Sequence, residues 1–308
     1  MKKIAIVGSG AIGGFYGAML ARAGEDVRFL MRADLETVKR DGLRVRAPFG
    51  EFRIEHPRVA ADSAALGPVD LVIVAWKTTS NPELARVLPP LLHERTVVLT
   101  LQNGLGAEEE IAALVGAERT LGGLCFIGIN RTAPGVIANP VEGTLTLGEF
   151  RRPAGERVRT LAETFQRAGV LASVTDDLDE ARWQKLVWNV PFSGLAIAAG
   201  GITTDRILAD PGLAQLARDL MAEVLAGAAA VGHAIPDSYA DYQMGRTPPL
   251  GAYRPSSLID WAEGRAVEVE SIWGEPVRRA AAVGQTLPRI EALYFLLRAL
   301  TAQRQART

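Results

Sequence analysis

The chain has 308 residues, of which 48% are apolar and 22% are charged, as expected for a globular protein with a sizeable core. Its 34 basic and 35 acidic residues leave a net charge of -1, which argues against partners such as nucleic acid or an anionic membrane. No run reaches the roughly 18–20 uncharged apolar residues of a membrane-spanning helix. The single cysteine, Cys125, is expected to be a buried structural thiol. We therefore predict a soluble cytoplasmic protein.

The first half of the chain alternates short apolar runs with helical patterns, which is typical of a mostly parallel sheet covered by helices. These features predict an α/β N-terminal domain of the Rossmann type over residues 1–175. The predicted strands are Lys3–Val7, Asp26–Met31, Leu71–Val74, Val97–Leu99 and Leu121–Ile127, with edge strands at Gly143–Gly148 and Val170–Val174, and the predicted helices are Ala11–Ala23, Glu83–Leu92 and Ala107–Val115.

The second half has apolar residues at helical spacing and no convincing strand, so we expect an all-α C-terminal domain over residues 176–308. Its proline-rich stretch Gln243–Pro255 predicts an ordered loop. The alanine-rich segment Ala226–Val231 favours tight helix packing or a subunit contact, which leaves a homodimer through the helical domain open. The predicted helices are Asp177–Ala199, Pro211–Val231, Glu268–Val283 and Pro288–Gln303.

A glycine-rich segment follows the first predicted strand and opens the first predicted helix. It reads Gly8-Ser9-Gly10-Ala11-Ile12-Gly13. Gly8 permits a tight turn, Gly10 lets a pyrophosphate approach the backbone, and Gly13 allows close packing of helix on strand. The N–H groups at the helix start then attract phosphate. The segment predicts a dinucleotide site.

The end of the second strand indicates which dinucleotide binds. An NAD site usually places an acidic residue there, whereas this chain has Arg32, about 20 residues after the glycines. A guanidinium is suited to the 2′-phosphate of NADP(H) through charge-assisted hydrogen bonds. We therefore expect NADP(H), while Asp34, two residues later, keeps a mixed or NAD preference open.

Polar residues also follow two further strands of the predicted sheet. Lys77 comes after Leu71–Val74, and Asn103 comes after Val97–Leu99. Loops at the carboxyl ends of parallel strands line the ligand crevice in sheets of this type. The sequence therefore predicts that Lys77 and Asn103 lie near the cofactor.

Lys185 and Asn189 occur four residues apart within an otherwise apolar segment, so they share one helix face. Desolvation lowers the pKa of a lysine, which makes its ammonium a better proton donor, and a neighbouring amide can hold it in place. The alternative is a lysine that extends to the surface along an amphipathic helix. Pro191, which should kink the helix, favours a functional site.

Taken together, these residues resemble the ketopantoate reductase (2-dehydropantoate 2-reductase) family over nearly the whole chain. The positions that match the family pattern are the loop Gly8-Ser9-Gly10-Ala11-Ile12-Gly13, Arg32, Lys77, Asn103-Gly104, Lys185-Leu186 with Asn189, and Ser256, Asp260 and Glu268. One position departs from the pattern, because Ser193 stands where the family usually has a second asparagine.

The resemblance implies an NADPH-dependent reductase of 2-keto acids, most simply of 2-dehydropantoate in pantothenate biosynthesis, with its active site in the cleft between two domains. It implies that Lys185 is the general acid, and that Asn103 and Glu268 complete the catalytic group. It assigns substrate binding to Asn189, Ser193, Ser256 and Asp260, and cofactor binding to the glycine loop, Arg32, Lys77 and Asn103. No metal site is predicted.

Two other functions agree with the same residues. A 3-hydroxy acid dehydrogenase also combines a Rossmann domain with a helical domain and uses a lysine–asparagine helix. A non-enzymatic NADP-sensing protein would bind the cofactor without turnover. A methyltransferase also has a glycine-rich loop, but it would leave Lys185 and Asn189 unexplained.

Overall fold

The computed structural model describes residues 3–305. It contains twelve strands, which are β1 (Lys3–Val7), β2 (Asp26–Leu30), β3 (Leu43–Ala47), β4 (Gly50–Ile54), β5 (Arg58–Ala60), β6 (Leu71–Val74), β7 (Val97–Thr100), β8 (Thr120–Phe126), β9 (Asn130–Ala133), β10 (Val136–Ala138), β11 (Thr144–Glu149) and β12 (Leu171–Val174). Eight of them form one sheet in the order β12-β11-β8-β7-β6-β1-β2-β5. The six strands from β8 to β5 are parallel, and β11 and β12 run the opposite way.

The helices of the described chain are α1 (Ala11–Arg22), α2 (Leu35–Asp41), α3 (Leu84–Val87), α4 (Ala107–Val115), α5 (Glu156–Arg167), α6 (Leu178–Ala198), α7 (Thr204–Ala209), α8 (Pro211–Ala230), α9 (Ser238–Arg246), α10 (Ser256–Ala262), α11 (Glu275–Ala282) and α12 (Pro288–Gln305). A π-helical turn, Glu270–Gly274, directly precedes α11. The predicted α/β N-terminal domain and helical C-terminal domain are thus confirmed.

The eight-stranded sheet is buried on both faces, as its central strands predict. Along β1, Ile4 and Ile6 contribute to one apolar cluster, whereas Ala5 and Val7 contribute to another. This alternation follows from the two-residue period of a strand. Such double burial is typical of parallel sheets with helices on both faces.

A second sheet of four strands, in the order β4-β3-β10-β9, was not predicted from the sequence. Its strands are short, all four residues of β9 are exposed, and β3 pairs with β10, which lies far along the chain. One inward side chain, Ile137, lies so close to α1 that a Cβ on Gly14 would be 2.3 Å from its Cδ1 atom. The second sheet therefore packs against the helix that follows the glycine loop.

Two predicted boundaries are wrong. Glu83–Leu92 is not one helix, because a 3₁₀ turn ends at Glu83, α3 ends at Val87, and another 3₁₀ turn covers Pro89–Leu91. Prolines at 82, 89 and 90 remove the N–H donors that a continuous helix would need. Gln243–Pro255 is not entirely a loop either, since α9 continues to Arg246.

The chain forms two compact units. The first unit contains residues up to Gln102 together with Ala107–Leu178, and the helical unit contains Asn103–Gly106 together with the chain from Asp179 onward. A single division at residue 175 would have left Asn103 in the first unit. Leu105 explains the difference, because its side chain is 2% exposed and belongs to the apolar core of the helical unit. Within residues 3–305, no helix is both long and apolar enough to cross a membrane.

Candidate active site

The glycine loop connects β1 to α1 through contacts that only glycine permits. Gly8 has a φ of +95°, and a Cβ there would lie 2.2 Å from the backbone nitrogen of Trp76. A Cβ on Gly13 would lie 2.3 Å from the carbonyl oxygen of Gly8. A Cβ on Gly10 would meet nothing within 4 Å. Two of the glycines therefore close the turn, whereas Gly10 leaves open space at the start of the helix.

The start of α1 suits a phosphate group. Its N-cap residue, Gly10, supplies no side-chain hydrogen bond, and the first turn contains no acidic residue. The N–H groups of Ala11, Ile12 and Gly13 belong to the first helical turn, where no backbone carbonyl of the helix accepts them. The Ser9 hydroxyl donates to the carbonyl oxygen of Leu30 at 2.9 Å. This bond ties the loop to the end of β2, and the loop fits a dinucleotide pyrophosphate.

The two residues that bear on cofactor choice have different surroundings. The Arg32 side chain is 58% exposed and forms an ion pair with Glu83. Asp34 is 6% exposed, and its carboxylate accepts hydrogen bonds from Arg131 at 2.9 Å and from the Gly135 backbone at 3.0 Å. Asp34 therefore holds the β9–β10 hairpin, and its carboxylate is committed to protein partners. Arg32 is the better placed of the two for a ligand.

A partly buried hydrogen-bond network supports the loop that contains Lys77. The amide oxygen of Asn81 accepts from the Trp76 indole N–H at 3.0 Å and from Gln102 Nε2 at 2.7 Å. Gln102 Nε2 also lies 3.1 Å from the Trp76 carbonyl oxygen, and Asn81 Nδ2 donates to Glu110 at 2.6 Å. The network fixes the backbone on either side of Lys77, which is half-buried.

Sequence reasoning assigned no role to Asn81 or Gln102. The position of Gln102, a polar residue directly after an apolar strand and before Asn103, could have indicated that it belongs to the site. No local pattern distinguishes Asn81 from an ordinary turn residue.

Lys185 and Asn103 meet in the helical unit. The Lys185 ammonium donates to the Asn103 amide oxygen at 2.8 Å, although 82 residues separate them in sequence. Lys185 is only 8% exposed, so it does not extend along the helix into solvent. A buried ammonium requires partners, and this amide supplies one. The ammonium is thus held within the helical unit by a residue far away in sequence.

The loop that contains Asn103 is held by the π-helical turn. The Leu105 N–H donates to the Ser271 carbonyl oxygen at 2.9 Å. Gly104 has a φ of +85°, and a Cβ there would lie 2.3 Å from the same oxygen. The Ser271 hydroxyl is in turn 3.3 Å from the carbonyl oxygen of Glu268, whose side chain is 6% exposed. Ser271 therefore joins the Asn103 loop to the segment of Glu268, a role that the sequence did not reveal.

The remaining predicted residues occupy α6 and α10. Asn189 is half-buried and Ser193 is 3% exposed, and both share the α6 face of Lys185. Ser256 is exposed in the first turn of α10. Asp260 is 4% exposed and accepts from Arg265 Nε at 3.0 Å. The substrate-binding roles of these residues stay predictions.

An aromatic cluster includes Trp188, the neighbour of Asn189 on α6. Trp188, next to Asn189, stacks on Phe192 with ring centroids 5.1 Å apart and meets Tyr253 edge-on at 6.0 Å. The Trp188 indole donates to Thr247 at 3.0 Å, and burial raises the pKa of Tyr253. The three rings thus pack together at this part of the helix.

Comparison with known proteins assigns the family. Residues 4–152 match the family model described as ketopantoate reductase PanE/ApbA, and residues 177–301 match the model of its C-terminal domain. The chain belongs to the ketopantoate reductase family. The resemblance inferred from the glycine loop and the lysine–asparagine helix is thereby confirmed.

Individual relatives of this ketopantoate reductase family member agree over the full length. The chain is 41% identical to a 2-dehydropantoate 2-reductase of Nostoc sp., with 97% of this chain and 95% of the relative covered. The solved structure of 2-dehydropantoate 2-reductase from Geobacter metallireducens is 44% identical, with a TM-score of 0.94 and coverage of 96% of this chain and 99% of that chain. The chain is therefore an oxidoreductase.

A more distant structure shares the fold. D-mandelate dehydrogenase in a complex with NADH and anilino(oxo)acetate is 22% identical, with a TM-score of 0.90 and coverage of 98% and 99%. The ketopantoate reductase family uses NADPH, in agreement with the cofactor expected from Arg32.

Proposed function

We propose that this chain catalyses the NADPH-dependent reduction of 2-dehydropantoate to pantoate. The observation that carries the proposal is the partly buried hydrogen bond between Lys185 and Asn103, at 2.8 Å. Membership of the ketopantoate reductase family and the open, uncapped start of α1 support it.

The residues of the first unit suit the cofactor. The N–H groups of the first turn of α1 would bind the pyrophosphate, Arg32 the 2′-phosphate, and the loop around Lys77 the neighbouring part of the dinucleotide. When bound, NADPH supplies a hydride from its nicotinamide ring to the keto carbon of the substrate. The protein contributes position and electrostatic stabilisation.

Lys185 stabilises the charge that develops during reduction. As a C–H bond forms at the keto carbon, the electrons of the C=O double bond move onto oxygen. The Lys185 ammonium stabilises this oxygen and donates a proton to it, which gives the 2-hydroxy acid. Asn103 holds the ammonium by accepting one of its three N–H groups. Glu268 joins the lysine network, and Ser256 and Asn189 bind the polar groups of the substrate.

The test is an assay of NADPH oxidation with purified protein and a panel of 2-keto acids that differ in size, branching and hydroxylation. We expect 2-dehydropantoate to be reduced with the highest kcat/KM. Oxidation of a 3-hydroxy acid in preference to reduction of any 2-keto acid would assign the related dehydrogenase activity instead. Cofactor binding without turnover of either class would indicate an NADP sensor.

The expected homodimer through the helical domain is part of the same proposal. Two large apolar side chains of α12, Phe295 and Leu296, are 49% and 57% exposed, which is consistent with a subunit contact. Light scattering coupled to size-exclusion chromatography measures the mass directly, and a mass of about one chain would reject the dimer.

A further inference from the structure

Arg32, the cation expected to bind the 2′-phosphate, already has an anionic partner. Its guanidinium lies alongside the carboxylate of Glu83, with Nη1 3.3 Å from Oε1 and Nη2 in closer contact with Oε2. Glu83 also accepts from Arg86 Nη2 at 2.8 Å. The side chains of Arg32, Glu83 and Arg86 are 58%, 38% and 66% exposed, so a ligand could approach all three.

The topology places this ion pair at the cofactor end of the sheet. β1 lies between β2 and β6, and the glycine loop follows β1. Arg32 follows β2, and Glu83 lies on the segment after β6. The pair therefore joins the two segments that flank the glycine loop, which is where loops at the carboxyl ends of parallel strands bind a dinucleotide.

The carboxylate is ionised at every pH at which the protein would be assayed, because the two guanidinium groups lower the pKa of Glu83 to about 2. A 2′-phosphate that binds Arg32 must share that cation with Glu83 and approach a second negative charge. The ribose 2′-hydroxyl of NADH meets no such repulsion, because it is neutral and can donate a hydrogen bond to a carboxylate.

We propose that Glu83 determines cofactor selectivity in this enzyme by competing with the 2′-phosphate for Arg32, so that it reduces the preference for NADPH over NADH. The inference rests on the proposed function only in taking Arg32 as the 2′-phosphate ligand. Arg86 allows Arg32 to leave Glu83, because Arg86 remains a partner for Glu83 when Arg32 turns toward the phosphate. An exposed pair of this type is screened by water, so we expect an effect of about 3- to 20-fold.

The experiment measures binding of two nucleotide fragments by titration calorimetry at low salt. Adenosine 2′,5′-bisphosphate carries the 2′-phosphate, and adenosine 5′-monophosphate lacks it. The variants are Glu83→Gln, Arg32→Ala and the double variant. Glu51→Gln is the matched control, because Glu51 also forms exposed ion pairs with arginines but lies on β4 of the four-stranded sheet.

We expect Glu83→Gln to bind the bisphosphate about 3- to 20-fold more tightly, with binding of the monophosphate changed by less than about 2-fold. The control should match the wild type, and Glu83→Gln should bring no gain in the Arg32→Ala background. The proposal is overturned if the bisphosphate gains nothing, if both fragments gain equally, or if the gain persists without Arg32. Neither fragment contains a nicotinamide ring, so the result is independent of whether the protein reduces 2-dehydropantoate.

Discussion

The Ser271 carbonyl oxygen accepts a hydrogen bond from the Leu105 backbone at 2.9 Å and at the same time occupies the space beside Gly104. The loop that carries Asn103 is thus fixed against the π-helical turn by backbone atoms. π-helical turns are rare and frequently lie at functional sites. The contact makes the position of Asn103 depend on the absence of a side chain at residue 104.

Gly104→Ala should therefore impair both stability and activity. A Cβ 2.3 Å from a backbone oxygen forces the loop and the turn apart, in addition to the strain of a positive φ. Gly200→Ala is the matched control, because Gly200 has a φ of +89° but open space around its Cβ position. We expect denaturant unfolding to show a loss of about 1–2 kcal/mol for the control and at least about 3 kcal/mol for Gly104→Ala. Equal losses would show that the Ser271 contact is unimportant.

Removing the ammonium at Lys185 should abolish catalysis and preserve cofactor binding. We expect kcat of Lys185→Ala to fall by roughly 100- to 10,000-fold, as is typical for loss of a general acid. Affinity for NADPH, measured by fluorescence titration, should change little, because Lys185 is not part of the glycine loop. Lys39→Ala serves as control, since Lys39 is an exposed lysine on α2 that pairs with Glu36. Near-normal turnover by Lys185→Ala would refute the assignment.

Asn103→Asp tests whether residue 103 acts on Lys185 directly. A carboxylate beside the ammonium favours its protonated form, so the alkaline limb of the pH–rate profile should move to higher pH. Asn103→Ala removes the hydrogen bond to Lys185 without adding a charge, so the alkaline limb of its pH–rate profile should not move to higher pH. The measurement is kcat against pH for both variants. An unchanged profile for Asn103→Asp would show that the 2.8 Å contact does not govern proton donation.

Arg32→Ala should weaken NADPH binding and affect NADH little. Loss of a charge-assisted phosphate contact costs on the order of 1.5–3 kcal/mol, or about 10- to 150-fold in affinity. Because Arg32 is exposed and shared with Glu83, we expect a value near the lower end of this range. The measurement is the dissociation constant of each cofactor by titration calorimetry. Equal effects on NADPH and NADH would contradict the assignment of Arg32 to the 2′-phosphate.

Ser193→Asn restores the residue that the family usually has at this position. Ser193 is 3% exposed in α6, so the larger amide has to fit into a packed region, and overpacking costs about 1–3 kcal/mol of stability. We expect kcat/KM across the 2-keto acid panel to shift toward 2-dehydropantoate, because an amide offers donors and an acceptor that one hydroxyl cannot. If the natural protein already prefers 2-dehydropantoate and the substitution adds nothing, Ser193 does not limit specificity.

Local sequence patterns predicted much of the fold because they reflect local constraints. Gly8 and Gly13 close a turn that leaves no space for a side chain, and the spacing of Lys185 and Asn189 places both on one helix face. The family, the fold class and the cofactor class were all predictable from such features. The four-stranded sheet was not, since β9 is exposed throughout and the sheet depends on the pairing of β3 with β10, which lie far apart in sequence.

The parts of the site that escaped prediction depend on residues far apart in sequence. Glu83 lies 51 positions from Arg32, and Asn81 lies 21 positions from Gln102. A glutamate in a turn and an asparagine before a proline have ordinary local explanations, so nothing in the sequence marks their partners. Arg32 and Glu83 meet because they follow β2 and β6, which lie on either side of β1 in the parallel sheet. Asn81 and Gln102 meet because they follow the adjacent strands β6 and β7.

The assignment of Asn103–Gly106 to the helical unit has a consequence for how the two halves of this gene can be separated. A fragment beginning at Asp179 would contain Lys185 without Asn103 and an apolar core without Leu105. Exchanging the C-terminal half with that of a relative would likewise place the relative's π-helical turn against Gly104 of this chain. In recombination between family members, the segment Asn103–Gly106 therefore has to come from the same parent as the helices of the helical unit.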